Sequence, residues 1–221
     1  VPVNGAAIPS LTAEDRALFG LDTLDRSDQV LPRVRLAQNT SQLDGAEPGQ
    51  FHNNITAQSS AELRFVILRV AKGRVLWPEA YQADQDPICA SDDSITPRPS
   101  LAYPGPCAEC ALGKWGEAGQ PPACSLVYNY LAIDLLSGLP FLMSLSRTSA
   151  KAAKQLNTLF ATYTIGHAFI AKTEKVKSDR GVWFEWRIAD LGPVDNPSGF
   201  MEMARRFAGR PLTTDTGDDR E

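Results

Sequence analysis

Ser125-Leu-Val-Tyr-Asn-Tyr-Leu-Ala-Ile-Asp-Leu135, a Ser137-Gly138 turn and Leu139-Pro-Phe-Leu-Met-Ser-Leu-Ser146 form the stretch on which the fold turns. In the first run Val127, Leu131, Ile133 and Leu135 share one side and Tyr128 and Tyr130 the other. In the second, Leu139, Phe141, Met143 and Leu145 alternate with Pro140, Leu142, Ser144 and Ser146. Period-two alternation on both sides of a Ser-Gly pair predicts an antiparallel hairpin.

Upstream, Ala61–Lys72 reads as a strand apolar on both sides. Leu63, Phe65 and Ile67 face one way, and Arg64, Val66, Leu68 and Val70 the other. That pattern suits a strand inside a barrel or between a sheet and a cover. Lys72-Gly73-Arg74 reads as a turn before a second strand that starts at Val75-Leu76-Trp77 and ends at Pro78. Pro32–Leu36 is a short half-buried strand. Residues 1–30 read as an N-terminal arm with one short helix over Ala13–Phe19, capped by Ser10 or Thr12 and ended by Gly20. Downstream, a helix capped by Thr148 or Ser149 runs to about Thr162, with Ala152, Leu156, Leu159 and Phe160 on one stripe. Two more strands, His167–Val176 and Val182–Ala189, join through Ser178-Asp-Arg-Gly181. A last helix covers Pro197–Ala208.

The sum is a mainly β chain: an OB-like β-barrel of five or more antiparallel strands with two or three helices, spanning 31–209. An antiparallel sandwich is the alternative. Residues 210–221 read as an acidic flexible tail.

Between the strands lie the four cysteines of the chain, Cys89, Cys107, Cys110 and Cys124, separated by seventeen, two and thirteen residues. The stretch is rich in Pro and Gly and poor in core-forming residues. Ordering each residue costs about 1–2 kcal/mol of backbone entropy, which a metal cross-link offsets. A CxxC with two further cysteines suits a closed, structural Zn2+ site. Two disulfides, with three possible pairings, and a redox CxxC are the other readings. Four cysteine ligands leave no open position for catalysis.

Net charge is −4, with no overall nucleic-acid signature. The charge is segregated, however. Arg147 to Arg187 is net +5, Glu79 to Glu117 net −5, and the last ten residues net −3. No apolar run approaches the roughly 18 residues of a membrane span. Val1–Leu11 lacks the basic start and apolar run of a signal peptide. The expectation is a protein of the cytoplasm with reduced thiols, no membrane partner and an open oligomeric state.

Catalytic constellations are nearly absent. His52 and His167 sit in no catalytic motif, and no phosphate loop or GxSxG is present. Asp92-Asp93 and Asp84/Asp86 are the only candidates for a divalent ion in an enzyme, so the chain reads as no enzyme. A metal-dependent nuclease is the remote alternative. Binding of single-stranded nucleic acid is better supported, through bases stacked on aromatics and phosphates met by cations. The candidates are Tyr128, Tyr130 and Trp183, with Arg33, Arg35, Arg64, Arg69, Lys72, Arg74, Arg147, Lys151, Lys154 and Lys172. Trp77, Phe65, Phe141, Phe184 and Trp186 read as core. A protein–protein adaptor docking through the cysteine loop is the competing reading.

Several motifs go together: Pro32-Arg-Val-Arg-Leu36, Cys89-Ala-Ser-Asp92, Cys107-x-x-Cys110 followed by Trp115, Pro122-Ala-Cys124, and Phe141-Leu-Met-Ser-Leu-Ser-Arg-Thr-Ser-Ala-Lys151. With them the chain resembles bacteriophage and mobile-element single-stranded-DNA-binding proteins that carry a zinc-binding insertion in an OB-like fold, over residues 32–190. The resemblance implies zinc on the four cysteines and service in phage DNA replication or recombination. The charge of the acidic tail itself offers a docking handle for replication or recombination proteins, although this chain ends Asp218-Asp-Arg-Glu221 without the terminal aromatic that such tails of viral single-strand binders often carry.

Overall fold

The two-sided apolar strand becomes the spine of the molecule. The computed structural model describes residues 12–25, 28–41, 43–78, 87–99, 103, 105–117, 119–179 and 181–213. In chain order the elements are α1 (Ala13–Leu18), β1 (Val34–Leu36), β2 (Phe51–Asn53), β3 (Ser59–Ser60), β4 (Glu62–Leu76) and β5 (Cys89–Ser91). They continue with β6 (Ser125–Asp134), β7 (Pro140–Ser146), α2 (Ala150–Tyr163), β8 (His167–Ser178), β9 (Gly181–Pro193) and α3 (Pro197–Arg206).

The main sheet has the order β7-β6-β4-β8-β9, with β5 added beside β4, and every pairing in it is antiparallel. The hairpin expected from the central stretch is β6–β7, in register from Val127↔Ser146 to Ile133↔Pro140. Gly138, at φ +73°, makes the backbone excursion its turn requires.

Each face of the sheet carries its own core. Phe65, Ile67, Tyr130, Phe141, Met143, Phe169 and Trp186 pack against α2 and against Val34 and Phe51. On the opposite face Val66, Leu68, Leu131, Ile133 and Leu142 pack against Phe200 and Ala204 of α3, with Leu31 and Leu212. Burying one such side chain contributes roughly 1.5–3 kcal/mol, which explains why β4 shows no polar side over Phe65–Leu68. Leu212 lies in the segment read as the start of the tail, yet it is buried. Residues 214–221, the rest of that tail, lie outside the described residues.

β4 does not break at Lys72-Gly73-Arg74, as the turn reading required. It runs unbroken to Leu76, because Lys72, Gly73 and Arg74 pair with Tyr128, Val127 and Leu126 of β6. A long ladder outweighs a local Gly signal. The irregularity sits earlier, where Ile67 pairs with Ala132 and Arg69 already with Leu131. This bulge at Leu68 reverses the alternation. Before it, odd-numbered side chains face α2; after it, even-numbered ones do.

The sheet does not close into a barrel. Its order ends on β7 and β9, and the small sheet β1-β2-β3 lies between them. At β7 the Leu142 amide donates to Pro32 O at 2.7 Å and Arg33 forms a single bridge with Leu142. At β9 the links come from side chains. Gln38 Nε2 donates to Phe184 O at 2.9 Å, the Phe184 amide donates to Gln38 Oε1 at 2.8 Å, and Asn39 donates to Val182 O at 2.8 Å. Side chains occupy the place where a closing strand ladder would run. Gly49 is required here, since a Cβ on it would stand 2.7 Å from the Phe184 ring.

The arm helix forms as expected, with Thr12 as its cap in a reciprocal box with Asp15. Ser149, by contrast, makes no side-chain cap to α2. A 3-10 turn over Arg147–Ser149 precedes that helix instead. No helix among the described residues is long and apolar enough to cross a membrane.

Candidate functional site: a four-cysteine pocket beside a cationic strand end

The loop between β4 and β6 is anchored at both ends by the ladder. Leu76 pairs with Cys89, Val75 with Ala90 and Arg74 with Ser91 on β5. Arg74 also pairs with Leu126 on β6. Arg74 therefore stands in the fork where the chain leaves the sheet and returns. Backbone bonds fold the loop back on this fork: Cys107 N to Ile95 O at 2.8 Å, Arg98 N to Ala90 O at 2.9 Å and Cys124 N to Leu112 O at 2.8 Å. Asp93 holds the first turn by accepting from the amides of Ile95 and Thr96, both at 2.7 Å, and from Ser91 Oγ at 2.9 Å. The Thr96 and Ile95 amides keep the Asp93 carboxyl down at about 2. Asp92 pairs with Arg98 at 2.9 Å. The two carboxylates read as candidates for an enzymatic ion are thus engaged in shaping the loop; Asp84 and Asp86 lie outside the described residues.

The four cysteines, spread over thirty-six residues of sequence, line one pocket, together with Arg74, Leu76, Tyr103, Leu112 and Gly113. All four are free thiols, and Cys89, Cys107 and Cys124 are buried. Burial pushes the Cys89 thiol up, and the other three sulfurs add to the effect. Burial also raises Cys124, while the adjacent Arg74 charge pulls it the other way. As free thiols they do not stand at ion-holding spacing, and among the described residues no group of three or more His, Cys, Asp or Glu does. The donor set nonetheless fits a tetrathiolate ion: four sulfurs, no competing carboxylate in the lining, and a cation at the wall.

The residues proposed to meet nucleic acid divide into several groups. Tyr130 is fully buried, its hydroxyl donating to Asn157 Oδ1 at 2.7 Å and lying 3.1 Å from Ala153 O. Its face looked polar in the sequence because α2, which covers it, follows later in the chain. Tyr130 offers no ring to a ligand. Arg33, 6% exposed, donates to Thr213 Oγ1 at 2.7 Å. Arg69 donates to the carbonyls of Phe207 and Arg210 beyond α3. Arg64 pairs with Glu62 at 2.8 Å, and Lys172 reaches the same carboxylate at 3.8 Å. Trp183, half-buried, donates to Glu185 Oε1 at 3.0 Å. Arg74 belongs to the cysteine pocket, and Arg35 is half-buried on β1.

Lys72, Tyr128, Arg147, Lys151 and Lys154 remain. Lys72 is exposed and directly opposite half-buried Tyr128, on the α2 side of the bulged strand. Arg147 reaches Ser125 Oγ at 3.4 Å at the same end of β6, and exposed Lys151 and Lys154 follow on the first turns of α2. Among the described residues none of these four cations has a carboxylate within ion-pair distance. Sequence reasoning gave no binding role to Trp115, which is 70% exposed on the cysteine loop. Its position five residues after Cys110 was the available signal.

A family model described as Pam3 phage gp34-like protein matches residues 3–210. Neither the curated proteins nor the solved structures contain a match.

Proposed function

We propose that the chain, which belongs to the Pam3 phage gp34-like family, is a non-enzymatic, sequence-tolerant single-stranded-DNA-binding protein for phage replication or recombination, braced by a structural Zn2+. The observation that carries the DNA reading is the cationic strand end. Lys72 stands directly opposite Tyr128 in the β4–β6 ladder, and Arg147, Lys151 and Lys154 follow with no carboxylate to neutralise them among the described residues. Phosphates supply the missing negative charge, and an aromatic beside them stacks a base for about 1–3 kcal/mol. Zinc would be held by Cys89, Cys107, Cys110 and Cys124 and would cross-link the loop to the β4–β6 fork. The test is fluorescence anisotropy of a labelled dT oligonucleotide titrated with salt, with duplex DNA and RNA of equal length alongside. Binding to the single strand that weakens with salt is expected, and no affinity at low salt would end the reading.

A second reading rests on a different observation. The cysteine loop exposes Ile95 and Trp115 within an acidic stretch, which suits a basic protein partner more than a phosphate backbone. Capture of a partner that survives nuclease treatment and is lost in Trp115→Ala would favour this adaptor role.

A further inference from the structure

We propose that Arg74 is the charge partner of the four-cysteine centre: a positioning residue whose guanidinium, set in the wall of the shared pocket, offsets the negative charge of the sulfurs when they hold a metal ion. The inference rests on the zinc reading and deepens it.

Arg74 forms part of the pocket wall that all four cysteines share. Its Nε is buried without a hydrogen-bond partner, and Nη1 reaches Gly113 O at 3.4 Å. Among the described residues it has no carboxylate within ion-pair distance. Arg74 is half-buried, and a guanidinium partly withdrawn from water without an anion is costly to keep. Four neutral thiols supply no anion, and two disulfides supply none either. Four thiolates around a divalent ion carry a double negative charge, which a guanidinium at the wall offsets in part while donating to sulfur. The environment of the arginine thus favours a metal-thiolate centre over a disulfide pair on grounds independent of cysteine spacing.

The packing is set for this. A Cβ on Gly113 would stand 2.7 Å from Arg74 Nη1, so the loop passes the guanidinium with no side chain between them.

The test uses the full chain loaded with Zn2+ or Co2+. Zinc transfer to a chromophoric chelator gives the release rate, and the thiolate-to-cobalt charge-transfer band reports the electron density on sulfur. Arg74→Met is expected to release zinc on the order of tenfold faster and to move the cobalt band to longer wavelength, because the sulfur electrons lose a stabilising cation. Arg74→Lys should restore most of both. If circular dichroism shows Arg74→Met unfolded, Gly113→Ala decides, since it displaces the guanidinium without removing it and should shift both readouts the same way. A normal band and normal release in folded Arg74→Met, or in Gly113→Ala where that variant decides, overturn the proposal and leave the zinc reading standing. Absence of the band in the wild-type protein overturns the zinc reading and this proposal with it.

Discussion

Tyr130 Oη donates a 2.7 Å hydrogen bond to Asn157 Oδ1 and so ties the middle of β6 to the middle of α2. Among the described residues it is the largest fully buried side chain, and its hydroxyl also reaches Ala153 O. Burial pushes the phenol pKa upward, so the group stays a donor. Tyr130→Phe leaves the Asn157 acceptor without its donor and should cost about 1–3 kcal/mol. In a chain of this length that lowers Tm by roughly 2–4 °C per kcal/mol. Oligonucleotide affinity should not move. A drop in affinity at unchanged Tm would return Tyr130 to the binding surface.

Arg69 closes the far face. Its Nη1 donates to the carbonyls of Phe207 and Arg210 and holds the chain end after α3 against β4. Arg69→Met keeps most of the aliphatic stem and removes charged donors, which should cost about 1.5–3 kcal/mol in urea unfolding. Hydrogen exchange should quicken first over residues 207–213. Uniform quickening throughout the sheet would contradict a local clamp.

Lys72 and Tyr128 separate the two contributions to the proposed binding. Lys72→Ala should make the salt slope shallower by about 0.7 for each phosphate of a single strand that is no longer neutralised. Tyr128→Ala should leave that slope alone and weaken binding by about 1–3 kcal/mol for one stacked base. Equal effects of both variants on slope and affinity would mean that the surface is not organised in this way.

Cys110→Ser removes one sulfur from the shared pocket. Native mass spectrometry should show loss of zinc, and the loop 89–124 should become protease-sensitive. The β-sheet dichroism should persist, because Phe65, Tyr130 and Phe169 lie in a core separate from the cysteines. Full zinc retention would remove Cys110 from the ligand set.

The Asp93 turn sets an acid limit on the same loop. Its carboxyl is held at about 2, below the ordinary 3.8, by the Thr96 and Ile95 amides. A lowered carboxylate pKa contributes stability that is complete above the ordinary value and is lost as pH falls through the folded one. Protection of the Ile95 and Thr96 amides should therefore fall between about pH 4 and pH 2. In Asp93→Asn it should be weaker throughout and flat across that window. A wild-type profile that is flat there would show that the turn does not depend on the charge.

Legibility in the sequence followed the range of the interactions. The β6–β7 hairpin could be read because its alternation and its Gly turn are local. The convergence of four sulfurs could be expected from a CxxC and two partners, and the pocket gathers all four. Arg33 and Tyr130 look like surface residues in the sequence because their covers, Thr213 and α2, come from distant sequence. The barrel expectation overreached for a related reason. Strand count was visible, whereas the filling of the β7–β9 gap by Gln38 and Asn39 side chains was not.

The cations on β4 show what an unpaired residue can rearrange. Counted by twos from Arg64, Lys72 and Arg74 belong to one stripe with it; the extra step at Leu68 sends them to the other side, toward Tyr128 and the sulfurs. Leu68 is accordingly the spare link of the strand. Chain length can change by one there while everything downstream stays in step with β6. A single-residue change after Ala71 would swing Arg74 away from the thiols it faces.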